Sequence, residues 1–129
     1  MTERHEFGTR ALASCFAVQR RLFEAAATLS RELSTTTEHG YTLHLGASCM
    51  RIAADRALQS QDARETLWSW RECGLAERQI RLGTYRALKA GCIDNDAYDE
   101  LFRLAEQLRR MREEERLRVR RQLMQLDIV

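Results

Sequence analysis

A chain of 129 residues is long enough for one hydrophobic core and too short for two. With no proline and only six glycines, it lacks both the usual helix breaker and the turn chemistry of a β-rich fold. A formal charge of +2, from 21 basic and 19 acidic residues, excludes a strong general attraction to polyanions. No apolar run approaches the roughly 18 residues of a membrane helix, and the opening MTERHEFGTR carries charge but no apolar signal core, so a cytoplasmic location is expected.

Periodicity predicts four helices. The first covers about 9–33, where Leu12, Phe16, Gln19, Phe23, Ala26, Ser30 and Leu33 step by three and four. Cys15, Leu22 and Leu29 widen that stripe, and Thr9 suits an N-cap. The hydroxyl-rich STTTEHG at 34–40 favours a turn. The second helix, about 41–59, has a narrow stripe of Leu43, Ala47, Met50, Ala54 and Ala57, with Cys49, Ala53 and Leu58 beside it. These small residues let a partner helix come close. Asp62 followed by Glu65 resembles a capping box for a third helix over about 63–90, with Gly91 as its C′ residue. Asp94 or Asn95 can cap the fourth, about 96–126, whose core face reads Tyr98, Leu101, Phe102, Ala105, Leu108 and Met111.

Beyond Met111 the apolar pattern fails. RMREEERLRVRRQL is dominated by charge, and pairs such as Arg110–Glu114 and Glu114–Arg118 keep it helical while solvated. Short connections between four helices predict an all-α, antiparallel up-down-up-down four-helix bundle in a single domain spanning 1–129. The helices are unequal in length, so the longer pair projects past helix 2 and leaves apolar surface for self-association.

Lys89 is the only lysine and every other basic residue is arginine, whose planar fork binds phosphates and carboxylates bidentately. On helix 3, Arg64, Arg71 and Arg78 repeat every seven residues and share a line with Leu75 and Leu82, with Leu67, Gly74 and Tyr85 alongside. An unpaired guanidinium in an apolar arc would cost several kcal/mol. Two explanations are open. In one, Glu77 meets Arg51 or Arg56 of helix 2 in an internal ion-pair network; in the other, the face lines a subunit interface or lumen. Trp68 and Trp70 are two apart and cannot both face one core, which places one in the bundle and the other at an interface. Cys15, Cys49, Cys73 and Cys92 are scattered, with no CxxC pair, and read as small buried reduced side chains rather than metal ligands. His39 and His44 flank the predicted loop and are wrongly spaced for one helical face. No His/Cys/Asp cluster or phosphate loop marks an enzyme, and no metal or cofactor is expected.

The stretches at 45–55, LGASCMRIAAD, and 66–111, TLWSWRECGLAERQIRLGTYRALKAGCIDNDAYDELFRLAEQLRRM, resemble the bacterial four-helix bundle family. That family includes proteins encoded in intervening sequences of large ribosomal RNA genes and the accessory variability determinants of diversity-generating retroelements. The family's internal glutamate on a long third helix is matched by Glu77, its Gly-x-hydrophobic turn by Gly91-Cys92-Ile93, and its aromatic opening of helix 4 by Tyr98. The Asn-Ile-Ala-Glu-Gly of its second helix survives only as RIAAD, and its Gly-Ser before the glutamate is Cys73-Gly74. The resemblance implies a homo-oligomer, a ring of five, with a basic surface for nucleic acid and, in the retroelement branch, a reverse transcriptase partner.

Together these readings lead to a non-enzymatic, oligomeric accessory protein that binds RNA or DNA. The expected contacts are Arg71, Arg78, Arg81, Arg86, Arg116, Arg118, Arg120 and Arg121, and Glu77, Arg51 and Arg56 form the expected structural ion pair. Nothing resembles a base-reading element: there is no recognition-helix motif, zinc module or exposed aromatic platform. The alternative is a protein-interaction scaffold whose arginines satisfy internal ion pairs.

Overall fold

The computed structural model describes residues 9–33, 37–59 and 62–128. They form four helices and no strand: α1 (Thr9–Leu33), α2 (Glu38–Gln59), α3 (Ala63–Lys89) and α4 (Asn95–Ile128). No helix among the described residues is long and apolar enough to cross a membrane.

Helix boundaries follow local chemistry. Thr37 caps α2 by accepting the Gly40 amide at 3.1 Å, while its carbonyl receives the Tyr41 amide. The helix therefore starts three residues before the position expected from the hydroxyl-rich run, and His39 and His44 lie inside it rather than beside a loop. Asp62 caps α3 through the Glu65 amide at 2.8 Å, and Asp94 caps α4 through the Ala97 amide at 2.8 Å. Gly91, at φ 74, makes the left-handed C′ turn after α3.

Inter-helix pairs fix the topology. Along α2 and α3, Glu38–Arg86, Gly46–Ile80 and Met50–Cys73 meet with one index rising as the other falls. Glu77–Arg112 and Arg81–Glu106 do the same for α3 and α4. Each helix runs antiparallel to its sequence neighbour, and α1 packs on α4 to close the bundle. The core is built on Val18, Leu22, Ala26, Leu29, Leu43, Met50, Ile80, Leu101, Leu104 and Leu108, with alanines between them.

α2 packs on α3 through small residues. A Cβ on Gly46 would stand 2.8 Å from Ile80 Cγ1, and one on Gly83 would stand 2.8 Å from Leu43 Cγ. Two glycines on opposite helices let the backbones approach as the small-residue stripe of α2 predicts. The structure shifts parts of the predicted core. Cys49 and Leu58 face solvent, Phe102 is exposed, and Thr42, Thr66, Ser69 and Thr84 are buried instead. In the charged end of α4, Glu115 and Val119 are buried against the bundle, so that segment is not simply a solvated tail.

Gly46→Ala should lower unfolding free energy by about 1–2 kcal/mol. Overpacking costs ~1–3 kcal/mol and helix propensity returns at most ~1. Urea denaturation showing unchanged or higher stability would mean that the α2/α3 crossing has room to spare.

Candidate functional site

The charged side chains of α3 and α4 meet along one seam. Glu77 is 2% exposed, one turn from Arg81, whose guanidinium reaches it at 2.9 Å. Arg112 crosses from α4 and stands 3.2 Å from the other carboxylate oxygen. Arg81 also bonds Glu106, which holds Arg109 at 3.0 Å. The Arg112 guanidinium passes directly over Gly74, in space that any side chain there would fill. Burial pushes the Glu77 carboxyl above its ordinary value, and the Arg112 and Arg81 guanidiniums, within 3.2 Å, oppose that shift. Glu106 is driven the other way, below its ordinary value, by the hydrogen bonds of Arg109 and then Arg81.

The internal ion pair foreseen for Glu77 thus exists, but its partners are wrong in the sequence reading. Arg51 and Arg56 are exposed on α2, and Arg56 lies over the Trp68 ring at 4.9 Å. Glu77 faces α4, because the α2 side of α3 is occupied by the glycine crossing. Arg71 and Arg78 are not in the core either; with Leu75, Leu82 and Tyr85 they lie on an exposed face. Trp70 is buried at 3% and Trp68 is 46% exposed.

Above the Glu77 network lies an open groove of about 660 Å³ between α3 and α4. Arg71, Arg78, Arg81, Arg109, Arg112, Arg116 and Arg120 line it, against only two carboxylates, Glu77 and Glu113. Among the described residues Arg71, Arg78 and Arg120 have no carboxylate partner, whereas Arg116 pairs with Glu113 at 3.0 Å. Five of the expected contacts therefore converge: Arg71, Arg78, Arg81, Arg116 and Arg120. Three do not line the groove. Arg86 pairs with Glu38 across the α2/α3 seam, Arg118 pairs with Glu115, and Arg121 is exposed elsewhere. The residues missed by sequence reasoning are Arg109 and Arg112. Their signal was available: Arg109, Arg112, Arg116 and Arg120 step by three, four and four, a helical face written in arginine.

Beside the groove lies a second, mostly apolar pocket of about 330 Å³, lined by Leu82, Tyr85, Tyr98 and Phe102 and sharing Arg78 and Arg81 with it. Tyr98 and Phe102 stack at 5.9 Å, and the Arg81 guanidinium stands 5.5 Å from the Phe102 ring centre. Tyr85 and Phe102 are 47% and 44% exposed, and the Lys89 ammonium stands 5.7 Å from the Tyr85 ring centre.

All four cysteines are free. Burial raises the Cys15 thiol to about 11 and the Cys73 thiol to about 12, so both are packing groups rather than nucleophiles. Cys49 and Cys92 are exposed, against the expectation that all four are buried. Comparison with protein-family models, curated proteins and solved structures gave no significant match.

Glu77→Ala leaves the half-enclosed Arg112 and Arg81 without their shared anion and should cost about 3 kcal/mol or more. A loss under about 0.5 kcal/mol in chemical denaturation would show that solvent replaces the carboxylate. Glu115 gives the opposite sign. It is 5% exposed, and burial raises its carboxyl above the ordinary value despite Arg118. The folded state then favours the protonated form, so ionisation lowers stability above the folded pKa and has no effect below about pH 4. Glu115→Gln should melt higher than the parent at pH 7 and level with it near pH 4. A deficit at pH 7 would mean that the Arg118 pair outweighs the desolvation.

Proposed function

We propose that this protein is a non-enzymatic, homo-oligomeric four-helix bundle that binds RNA or DNA through phosphate contacts in the α3/α4 groove. The observation that carries the reading is the groove itself: seven arginines line it, three carboxylates, Glu77, Glu106 and Glu113, hold four of them, and Arg71, Arg78 and Arg120 have no acidic partner among the described residues. Guanidinium forks lining an open channel suit a phosphate backbone, whose neutralisation releases counterions and supplies affinity without base reading. Repeating the groove around an oligomer multiplies a modest charge per subunit. The exposed apolar side chains Trp68, Ile52 and Leu58 support self-association. The resemblance to the ribosomal intervening-sequence and retroelement accessory proteins extends this proposal to a ring of five, acting beside a nucleic-acid enzyme such as a reverse transcriptase.

The scaffold reading has one observation in its favour. Arg81, Arg109 and Arg112 are held by Glu77 and Glu106 and serve the bundle rather than a ligand. The two readings separate on the unpartnered arginines. Changing Arg71, Arg78 and Arg120 together to glutamine keeps helix propensity nearly constant and removes no ion pair found in the structure. Binding of labelled RNA and DNA oligonucleotides should collapse, and the plot of log K against log salt should flatten by about two units, while the melting temperature and the mass by light scattering stay those of the parent. A folded variant that binds as tightly as the parent removes the groove from the proposal. A parent that binds neither polymer at about 50 mM salt leaves the scaffold standing, and a parent mass near 15.0 kDa rules out assembly.

A further inference from the structure

Phosphate contacts account for the arginine groove but not for the apolar cavity beside it. The two share Arg78 and Arg81, so a chain lying along the groove comes beside an open pocket lined by Tyr85, Phe102 and Leu82. That pocket is mostly apolar, with Arg78, Arg81 and Thr84 at its polar side, and its volume of about 330 Å³ is at the small end of ligand pockets. The first turns of α4 next to it carry exposed Asp96, Asp99 and Glu100, which repel a phosphate. A flat uncharged ring attached to a polyanion matches both halves of the site. We infer that the protein selects single-stranded nucleic acid: phosphates lie along the arginines, and one unpaired base leaves the strand to pack against Tyr85 and Phe102.

This inference rests on the proposed function and adds a discrimination that it does not contain. In a duplex every base is stacked and paired, so the aromatic cavity stays empty and only the phosphate contacts remain. In a single strand the base enters at little cost, and each base–aromatic stack strengthens binding without adding to the salt dependence. Arg81 joins the two halves as a wall: its guanidinium lies against the Phe102 ring while Glu77 and Glu106 hold it in place.

The test uses the full chain and two fluorescent probes of equal phosphate number, a mixed-sequence single strand and a blunt duplex, titrated by anisotropy over a salt series. The single strand should bind at least fivefold tighter than the duplex. Phe102→Ala and Tyr85→Ala should each weaken the single strand about tenfold while leaving its salt slope and the duplex affinity unchanged. Both side chains are near half exposed, and a thermal melt confirms the fold; Phe102→Leu, which keeps the cavity apolar, should lose the same discrimination. A 2-aminopurine base in the single strand reports independently of any variant, because stacking quenches its emission when the parent binds. Equal affinity for both probes, or variants that bind like the parent with no quenching, overturns the inference and leaves the phosphate groove intact. Variants that fall apart into single chains by light scattering assign the cavity to a second copy of the protein and also overturn it. If neither probe binds, the proposed function falls and this inference falls with it.

Discussion

A buried carboxylate organises this bundle. Glu77 sits one turn from Arg81 and opposite Arg112 in a position that is 2% exposed, and a charge so enclosed is tolerated only when counter-charges stay in place. That requirement propagates. Arg112 must cross from α4, which needs the empty space over Gly74. Arg81 must turn inward, which leaves its second contact for Glu106, and Glu106 then fixes Arg109. Five charged side chains on two helices are thereby locked in one register. A hydrophobic seam could slide by a turn and keep much of its contact area, but this one cannot slide without stranding an ion.

The same network explains why there is a groove at all. On one flank α3 meets α2 across Gly46 and Gly83, with backbone close to side chain. On its other flank it meets α4 across guanidiniums and carboxylates, which are long and need room. Small residues draw α2 inward while large charged ones hold α4 apart, so the bundle is asymmetric about α3 and opens on the α4 side. Leu75, Leu82 and Tyr85, which a tighter α3/α4 seam would cover, are left at the surface.

Four helices and their approximate limits were legible in the sequence because caps and breaks are local: Asp62, Gly91 and Asp94 each act within a few residues. The start of α2 was misplaced because Thr37 was read as part of a turn-forming run, when its hydroxyl serves as the cap. The core face of α3 stays open in the sequence for a deeper reason. Hydropathy ranks Leu75, Leu82 and Tyr85 above Thr66, Ser69 and Thr84, yet the hydroxyl residues are inside. Thr84 and Thr66 donate to the carbonyls of Ile80 and of the capping Asp62, four residues before each, at 2.7 and 3.0 Å. Such a side chain enters the core with its hydrogen bond already made, and no pattern that counts threonine as polar can see it. Glu77 was recognised as internal, but its partners depended on which flank of α3 was crowded, a fact of packing rather than of spacing.

Charge shows the same limit from the other direction. A net value of +2 argues against polyanion binding only if charge is spread evenly. At physiological ionic strength the Debye length is about 8 Å, so a ligand in the α3/α4 groove senses the side chains around it and little else. Acidic residues on other faces, such as Glu24 beside Arg20 and Glu38 beside Arg86, neutralise the total without neutralising the groove. The quantity that matters is the number of arginines that fold onto one seam minus the carboxylates that fold with them. Only the register set by Glu77 decides it.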